Sequence, residues 1–194
     1  QPQAIFYHSK ERAHHRWAGS ETGTTGYPCW STMPSIRVQK EAHRDPQMRT
    51  QLLKHGDPDG SVWCPAWCDA PIRDHHWLWV PDTEDDLFSL EALMTMYYQS
   101  VGRNANLMLG AIPDKDRLIP KVDFERYAEF GEAIRRRFNQ PVAETSGEGK
   151  QVEIQLEKPS MVDHIVIMED ILHGERVRAY QVKGMNANNY WILL

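Results

Sequence analysis

Arg16-Trp17-Ala18-Gly19-Ser20-Glu21-Thr22-Gly23 sets a guanidinium, an indole and a carboxyl close together on a glycine-containing stretch. Glycine lets a backbone turn tightly or approach a ligand. A carboxyl beside an indole and partly out of water holds its proton more firmly and can serve as a general acid. The same spacing also fits a surface loop that merely carries an arginine and a glutamate, so spacing alone leaves both readings open.

A second group is Trp77-Leu78-Trp79, directly behind His75-His76. Aromatic faces suit the apolar side of a ligand, and each tryptophan taken singly fits an aromatic core equally well. His14 and His15 read as solvated loop histidines, with contact to ligand hydroxyls as the alternative. Cys29, Cys64 and Cys68 are odd in number and make no disulfide framework. They lack a partner set at zinc spacing, so no metal is expected and they read as small buried thiols. The sequence carries no phosphate-cradling glycine motif and no nucleophile elbow.

The elements that must position these residues follow from periodicity. Gln3–His8 is a short apolar run that reads as a buried parallel strand, and the loop of Arg16 to Gly23 follows it. Residues 34–60 are polar and partly helical over 40–54, a long excursion ending at the turn Gly56-Asp57-Pro58-Asp59-Gly60. Asp82 to Asp86 supplies acid at a helix start, and Leu87, Leu90, Leu93, Met94, Tyr97 and Tyr98 fall at helical spacing. The spacing predicts a helix over 89–100 with Gly102 as its C-cap glycine. A strand over 106–112 follows, then a helix capped by Asp123 with Phe124, Tyr127, Ala128, Gly131, Ile134 and Phe138 facing inward. Arg135-Arg136-Arg137 reads as a solvated face. Beyond Asn139 the pattern changes to period two, at 152–156 and 176–182, with 165–168 as a further apolar strand. Strands at that spacing predict an antiparallel β-sandwich.

Composition fits a globular protein: 41% hydrophobic and 25% charged residues. A formal charge of −5 gives no reason to expect a nucleic-acid partner. No apolar run approaches the roughly 18–20 residues that span a bilayer. The abrupt start at Gln1-Pro2 and the stop inside Trp191-Ile192-Leu193-Leu194 read as those of a fragment.

Gln1-Pro2-Gln3-Ala4-Ile5-Phe6 and then Arg16-Trp17-Ala18-Gly19-Ser20-Glu21 resemble the QPxAVIF…RWVGNE.G segment of the α-L-fucosidases of glycoside hydrolase family 29. The likeness is to the branch selective for α-1,3/1,4-linked fucose. Tyr27 to Thr32 resembles that family's E.nWST, and Trp63 to Trp77 its W.PAE.DVSIRPGWFYH. In the second of these Asp69, Ile72, Arg73 and Trp77 match, while Trp67 stands where glutamate is common. Val101-Gly102-Arg103-Asn104-Ala105-Asn106-Leu107-Met108-Leu109 resembles SVGRNANLLLN, with Gly110 where Asn is common. Glu169-Asp170-Ile171 with Gly174-Glu175-Arg176-Val177 resembles the QEDI..GQRV of the family's carboxy-terminal sandwich. These matches span most of the chain in the family's order.

The resemblance implies an α/β fold: the second half of a (β/α)8-like (TIM) barrel over 1–139, then part of an antiparallel β-sandwich over 140–194. It implies a retaining α-L-fucosidase acting on fucosylated oligosaccharides, with Glu21 as the catalytic acid/base. Arg16, Trp17 and Trp77 become the expected substrate-binding residues, Arg16 tuning or contacting the site and Trp77 lining the fucose pocket. Ser20 replaces the family's Asn and Ala18 its Val. Arg103 and Asn104 are expected to hold a helix end against the strand that follows. The family's nucleophile is an aspartate on a strand upstream of Gln1, so the chain alone is expected to be inactive. No cofactor, nucleic acid or membrane span is expected, and the family implies a periplasmic, secreted or lysosomal setting. A carbohydrate-binding relative without catalysis, or a hydrolase of another α-L-glycoside such as an α-L-galactoside, are the alternatives.

Overall fold

A parallel ladder carries the positions that matter. The computed structural model describes residues 15–171 and 174–194, and its chain packs as two units, Gln1–Ala133 and Ile134–Leu194. The strand expected at Gln3–His8, and His14, lie outside the described residues. In the first unit β1 (Arg16–Trp17), β4 (Ala66–Pro71) and β5 (Ala105–Gly110) form a parallel sheet in the order β1-β4-β5. Arg16 pairs with Ala66, and Ala66 with Ala105.

Alternation along the strands separates two faces. Ala66, Cys68 and Ala70 are buried, and Cys68 lies against Ser100 of α3 (Leu90–Ser100). On that covered side the Tyr127 hydroxyl of α4 (Lys121–Phe138) donates to the Leu109 carbonyl. The other face carries Trp17, Trp67, Asp69, Asn106 and Met108, all half-buried or exposed.

The excursion between β2 (Thr32–Met33) and β3 (Val62–Trp63) contains α1 (Ile36–Ala42) and α2 (Pro46–His55). It is closed by an antiparallel pairing of Thr32 with Trp63. The Asp45 carboxylate caps α2 by accepting from Gln47 N at 2.9 Å and Met48 N at 3.2 Å, and Pro46 enters the first turn where its missing N–H costs nothing.

The helix expected at 89–100 forms as α3, with Ser89 accepting from Ala92 N and with Leu93, Met94 and Met96 buried. Its end corrects the sequence reading. Gly102 lies in a short 3-10 turn, Val101–Arg103, and the left-handed residue is Asn104 at φ 65°. Asparagine tolerates that conformation, and here its amide is also held by Cys29 O at 3.0 Å and Ser31 Oγ at 3.2 Å. Arg103 donates to Thr25 O at 2.7 Å. The pair therefore fastens the segment 25–31.

Asp123 is a second correction. It sits inside the first turn of α4, wholly buried, and accepts both Nε and Nη2 of Arg73 instead of capping the helix. On α4 Phe130 and Ala133 are buried, while Phe124, expected to face inward, is 66% exposed.

In the second unit a two-stranded antiparallel sheet forms from β6 (Lys183–Met185) and β7 (Trp191–Leu193). The segments 152–156, 165–168 and 176–182 carry no strand, so the expected sandwich is represented among the described residues by this hairpin alone. Period-two sequence becomes a strand only where a neighbour supplies ladder partners. Glu169 instead accepts from Arg176 N at 2.6 Å and Val177 N at 3.2 Å, linking the two halves of its motif.

Candidate active site

Glu21 owes its position to a register insertion. Arg16 N donates to Pro65 O and Ala18 N to Trp67 O, the two-residue step of a parallel ladder. The next step would bring residue 20 to Asp69 O; Gly23 N arrives there instead, at 2.8 Å. Three extra residues are thus pushed out at the carboxyl end of β1. Gly19 opens the loop at φ 78° and Gly23 closes it at φ 68°. A Cβ at Gly23 would lie 2.9 Å from Met96 Sδ, so both conformation and space call for glycine. Ser20 Oγ lies 2.6 Å from Thr22 Oγ1, which lies 2.9 Å from Thr24 Oγ1. This hydroxyl chain stiffens the loop from within.

The Glu21 side chain is exposed on that loop. The Trp17 indole Nε1 donates to Asp69 Oδ1 at 2.8 Å. Trp17 is thereby fixed in orientation by a carboxylate that the sequence reading left without this role.

Arg16 is 4% exposed, and its guanidinium donates to Leu53 O at 3.1 Å, Cys64 O at 2.9 Å and Cys29 Sγ at 3.1 Å. These bonds place it in the framework beneath the loop, tying β1 to α2 and to the start of β4. Arg16→Lys is expected to lower stability by about 1–3 kcal/mol, because one ammonium cannot reach acceptors in three directions and buried carbonyls lose partners. Chemical denaturation with circular dichroism measures it.

Trp77 is 44% exposed and stands at the carboxyl end of β5, where a Cβ on Gly110 would touch its Cζ3 at 3.6 Å. Glu21 and Trp77 therefore occupy the same edge of the sheet, one beyond each neighbour of β4. The loop of Trp77 is held from below. Arg73, 2% exposed, bonds Asp123 through Nε and Nη2, and Thr83 Oγ1 through Nη1 at 2.9 Å, with Glu84 at 3.6 Å. Hydrogen bonding to Asp123 raises the Arg73 pKa. His76 Nε2 lies 2.8 Å from Asp86 Oδ2, and Asp74 N donates to Asp86 O.

Trp67, at the position where the resembled family commonly has glutamate, lies edge-on to His15 with ring centroids 5.9 Å apart. Its Nε1 is buried and finds no hydrogen-bond partner among the described residues. The three cysteines are buried and unbridged. Burial pushes the Cys68 thiol up to about 11 and raises that of Cys64 as well, which keeps both protonated near neutral pH.

Sequence reasoning missed Asp69 as the orienter of Trp17, and Asp123 with Thr83 as the support of the Trp77 loop. Alternation along β4 was the available signal for Asp69, since it puts that residue on the Trp67 face, one step from the partner of Trp17. Nothing local marks Asp123, fifty positions from Arg73.

No family model matches the chain. α-L-Fucosidase 1 of Arabidopsis thaliana is 32% identical over 143 residues, which cover 74% of this chain and 26% of that protein. A crystal structure from Bacteroides thetaiotaomicron, described as that of a candidate α-L-fucosidase, superposes with a TM-score of 0.88 at 45% identity. It covers all of this chain and 44% of that one. The chain is similar to α-L-fucosidases. A glycoside hydrolase family 29 member from an unknown rumen bacterium agrees, with a TM-score of 0.61 and 28% identity over 72% of this chain and 24% of its own. The chain spans about a quarter of the length of the curated fucosidases it matches. No helix among the described residues is long and apolar enough to cross a membrane.

Proposed function

We propose that this chain is the carboxy-terminal part of the catalytic barrel and the start of the β-sandwich of a retaining α-L-fucosidase, with Glu21 as its general acid/base. The observation that carries the reading is the register insertion, which lifts Glu21 off the carboxyl end of a parallel strand. Ligands of parallel α/β folds bind at that end. The three parallel strands, covered on one face, are read as an arc of the barrel whose open face belongs to its interior.

Retention needs a second carboxyl about 5–5.5 Å from the first, one attacking the anomeric carbon while the other protonates the leaving oxygen and then activates water. The resemblance assigns that nucleophile to an aspartate upstream of Gln1, so the 194-residue chain is expected to be inactive by itself. Trp77, exposed at the same edge, is the proposed apolar wall for the deoxy sugar. Trp17 borders the site with its indole held by Asp69. Arg16 acts through position, holding the strand from which the loop departs. The substrate class proposed is α-1,3/1,4-linked fucose on oligosaccharides.

Proton NMR of the whole protein acting on an aryl α-L-fucoside tests the reading. The first product is expected to be α-L-fucose, appearing before mutarotation. Initial β-L-fucose would overturn retention. Fucose binding without any turnover would favour a non-catalytic carbohydrate-binding relative, a reading that Trp67 at the family's glutamate position supports.

A further inference from the structure

Residues 36–55 hold five lysines and arginines against two acids in a chain of formal charge −5. Both acids are already committed. Asp45 caps α2, and Glu41 Oε1 accepts from Arg37 Nε at 3.4 Å. No ion pair among the described residues involves Arg49 or Lys54. These two side chains, with His43, line a cleft of about 220 Å³ whose other wall is Ala18 and Gly19. Leu53 closes its floor, and a Cβ at Gly19 would meet Leu53 at 3.6 Å. The wall formed by Gly19 leads within two residues to Glu21.

We propose that this cleft is a subsite for an anionic substituent, a carboxylate or a sulfate ester, on the leaving-group portion of the glycan. The inference rests on the acid/base reading of Glu21. A general acid stands beside the departing glycosidic oxygen, so the sugar attached to that oxygen passes on the Glu21 side of the bond. Space opening from Gly19 is the space it enters. A guanidinium and an ammonium there form charge-assisted hydrogen bonds to an anion, and the guanidinium grips a carboxylate or sulfate through two donors. A neutral glycan would leave both cations to water. The excess positive charge on α1 and α2 also draws an anionic substrate toward this side of an otherwise acidic molecule.

The test uses the whole protein and three matched fucosylated oligosaccharides: neutral, sialylated and sulfated. Wild type is expected to favour one or both charged forms in kcat/KM, and the pattern tells carboxylate from sulfate. Arg49→Ala combined with Lys54→Ala is expected to cut that preference about tenfold, and raising the salt concentration to erode it in wild type. Arg37→Ala removes a like charge outside the cleft and is expected to keep the preference. A preference absent from wild type, or insensitive to the Arg49 and Lys54 changes, would overturn the subsite. Tryptophan fluorescence titration with lactose, sialyllactose and sulfated lactose reads the cleft without turnover. Tighter binding of a charged form, lost in the double variant, supports the subsite even if no fucoside is hydrolysed; equal binding of all three overturns it.

Discussion

Glu21→Ala in the whole protein is expected to slow cleavage of fucosyl oligosaccharides by about 10²–10⁴-fold, the usual contribution of a positioned proton donor. An aryl fucoside with an acidic phenol as leaving group departs without protonation, so its first step should be slowed far less. The loss there falls on the second step, where the same carboxylate would activate water. Azide, which needs no base, is expected to restore part of that rate and to yield a glycosyl azide. Equal loss on both substrate types, with no azide effect, would remove Glu21 from the role. The site argues for this residue through geometry. Its loop is closed by a ladder bond from Gly23 to Asp69 and stiffened by the Ser20, Thr22 and Thr24 hydroxyls. A carboxyl so placed would meet a substrate without first ordering its own backbone, an entropic saving under the proposed role.

The second large effect concerns the pair beneath Trp77. Asp123→Ala is expected to destabilise the fold by about 3–5 kcal/mol, because it strands the Arg73 guanidinium in a buried site. Against a typical stability of about 5–15 kcal/mol that is a severe loss. Urea denaturation should show a lower midpoint. Replacing both partners, Arg73→Met with Asp123→Leu, is expected to recover much of the stability, since removing two buried charges also removes their desolvation cost. The double variant would still lack the Thr83 and Glu84 contacts that hold the loop. Its KM for fucosides is therefore expected to rise even where its midpoint is restored. Stability and KM recovering together would show that the pair acts on folding alone.

The parts of this fold legible in the sequence are those decided by near neighbours. Leu90, Leu93, Met94 and Tyr97 announce α3 through their spacing, and Ser89 supplies its cap. The apolar run Leu107-Met108-Leu109 announces β5. The readings that failed depend on distant partners. Asp123 has the composition of a helix cap, yet a buried guanidinium fifty residues away outbids the backbone for its oxygens. Gly102 has the chemistry of a helix terminator, yet Asn104 takes the left-handed position because Cys29 O and Ser31 Oγ hold its amide. The segments 152–156 and 176–182 alternate as strands do, but alternation chooses a face and provides no neighbour.

The same distinction runs through the candidate site. Glu21 is legible as a motif, because the glycines that free its backbone adjoin it in sequence. The destinations of Arg16 and Trp17 were not. A guanidinium can turn to a ligand or to main-chain carbonyls with equal ease, and only the folded positions of Leu53 and Cys64 decide between them.

Because Gly23 rejoins β4 at Asp69 after the detour, strand registration does not depend on how many residues the detour contains. The segment 20–22 can be lengthened, shortened or exchanged while both ends keep their hydrogen bonds. The reach of the Glu21 side chain can thus be retuned, by natural variation or by grafting, separately from the architecture that supports it.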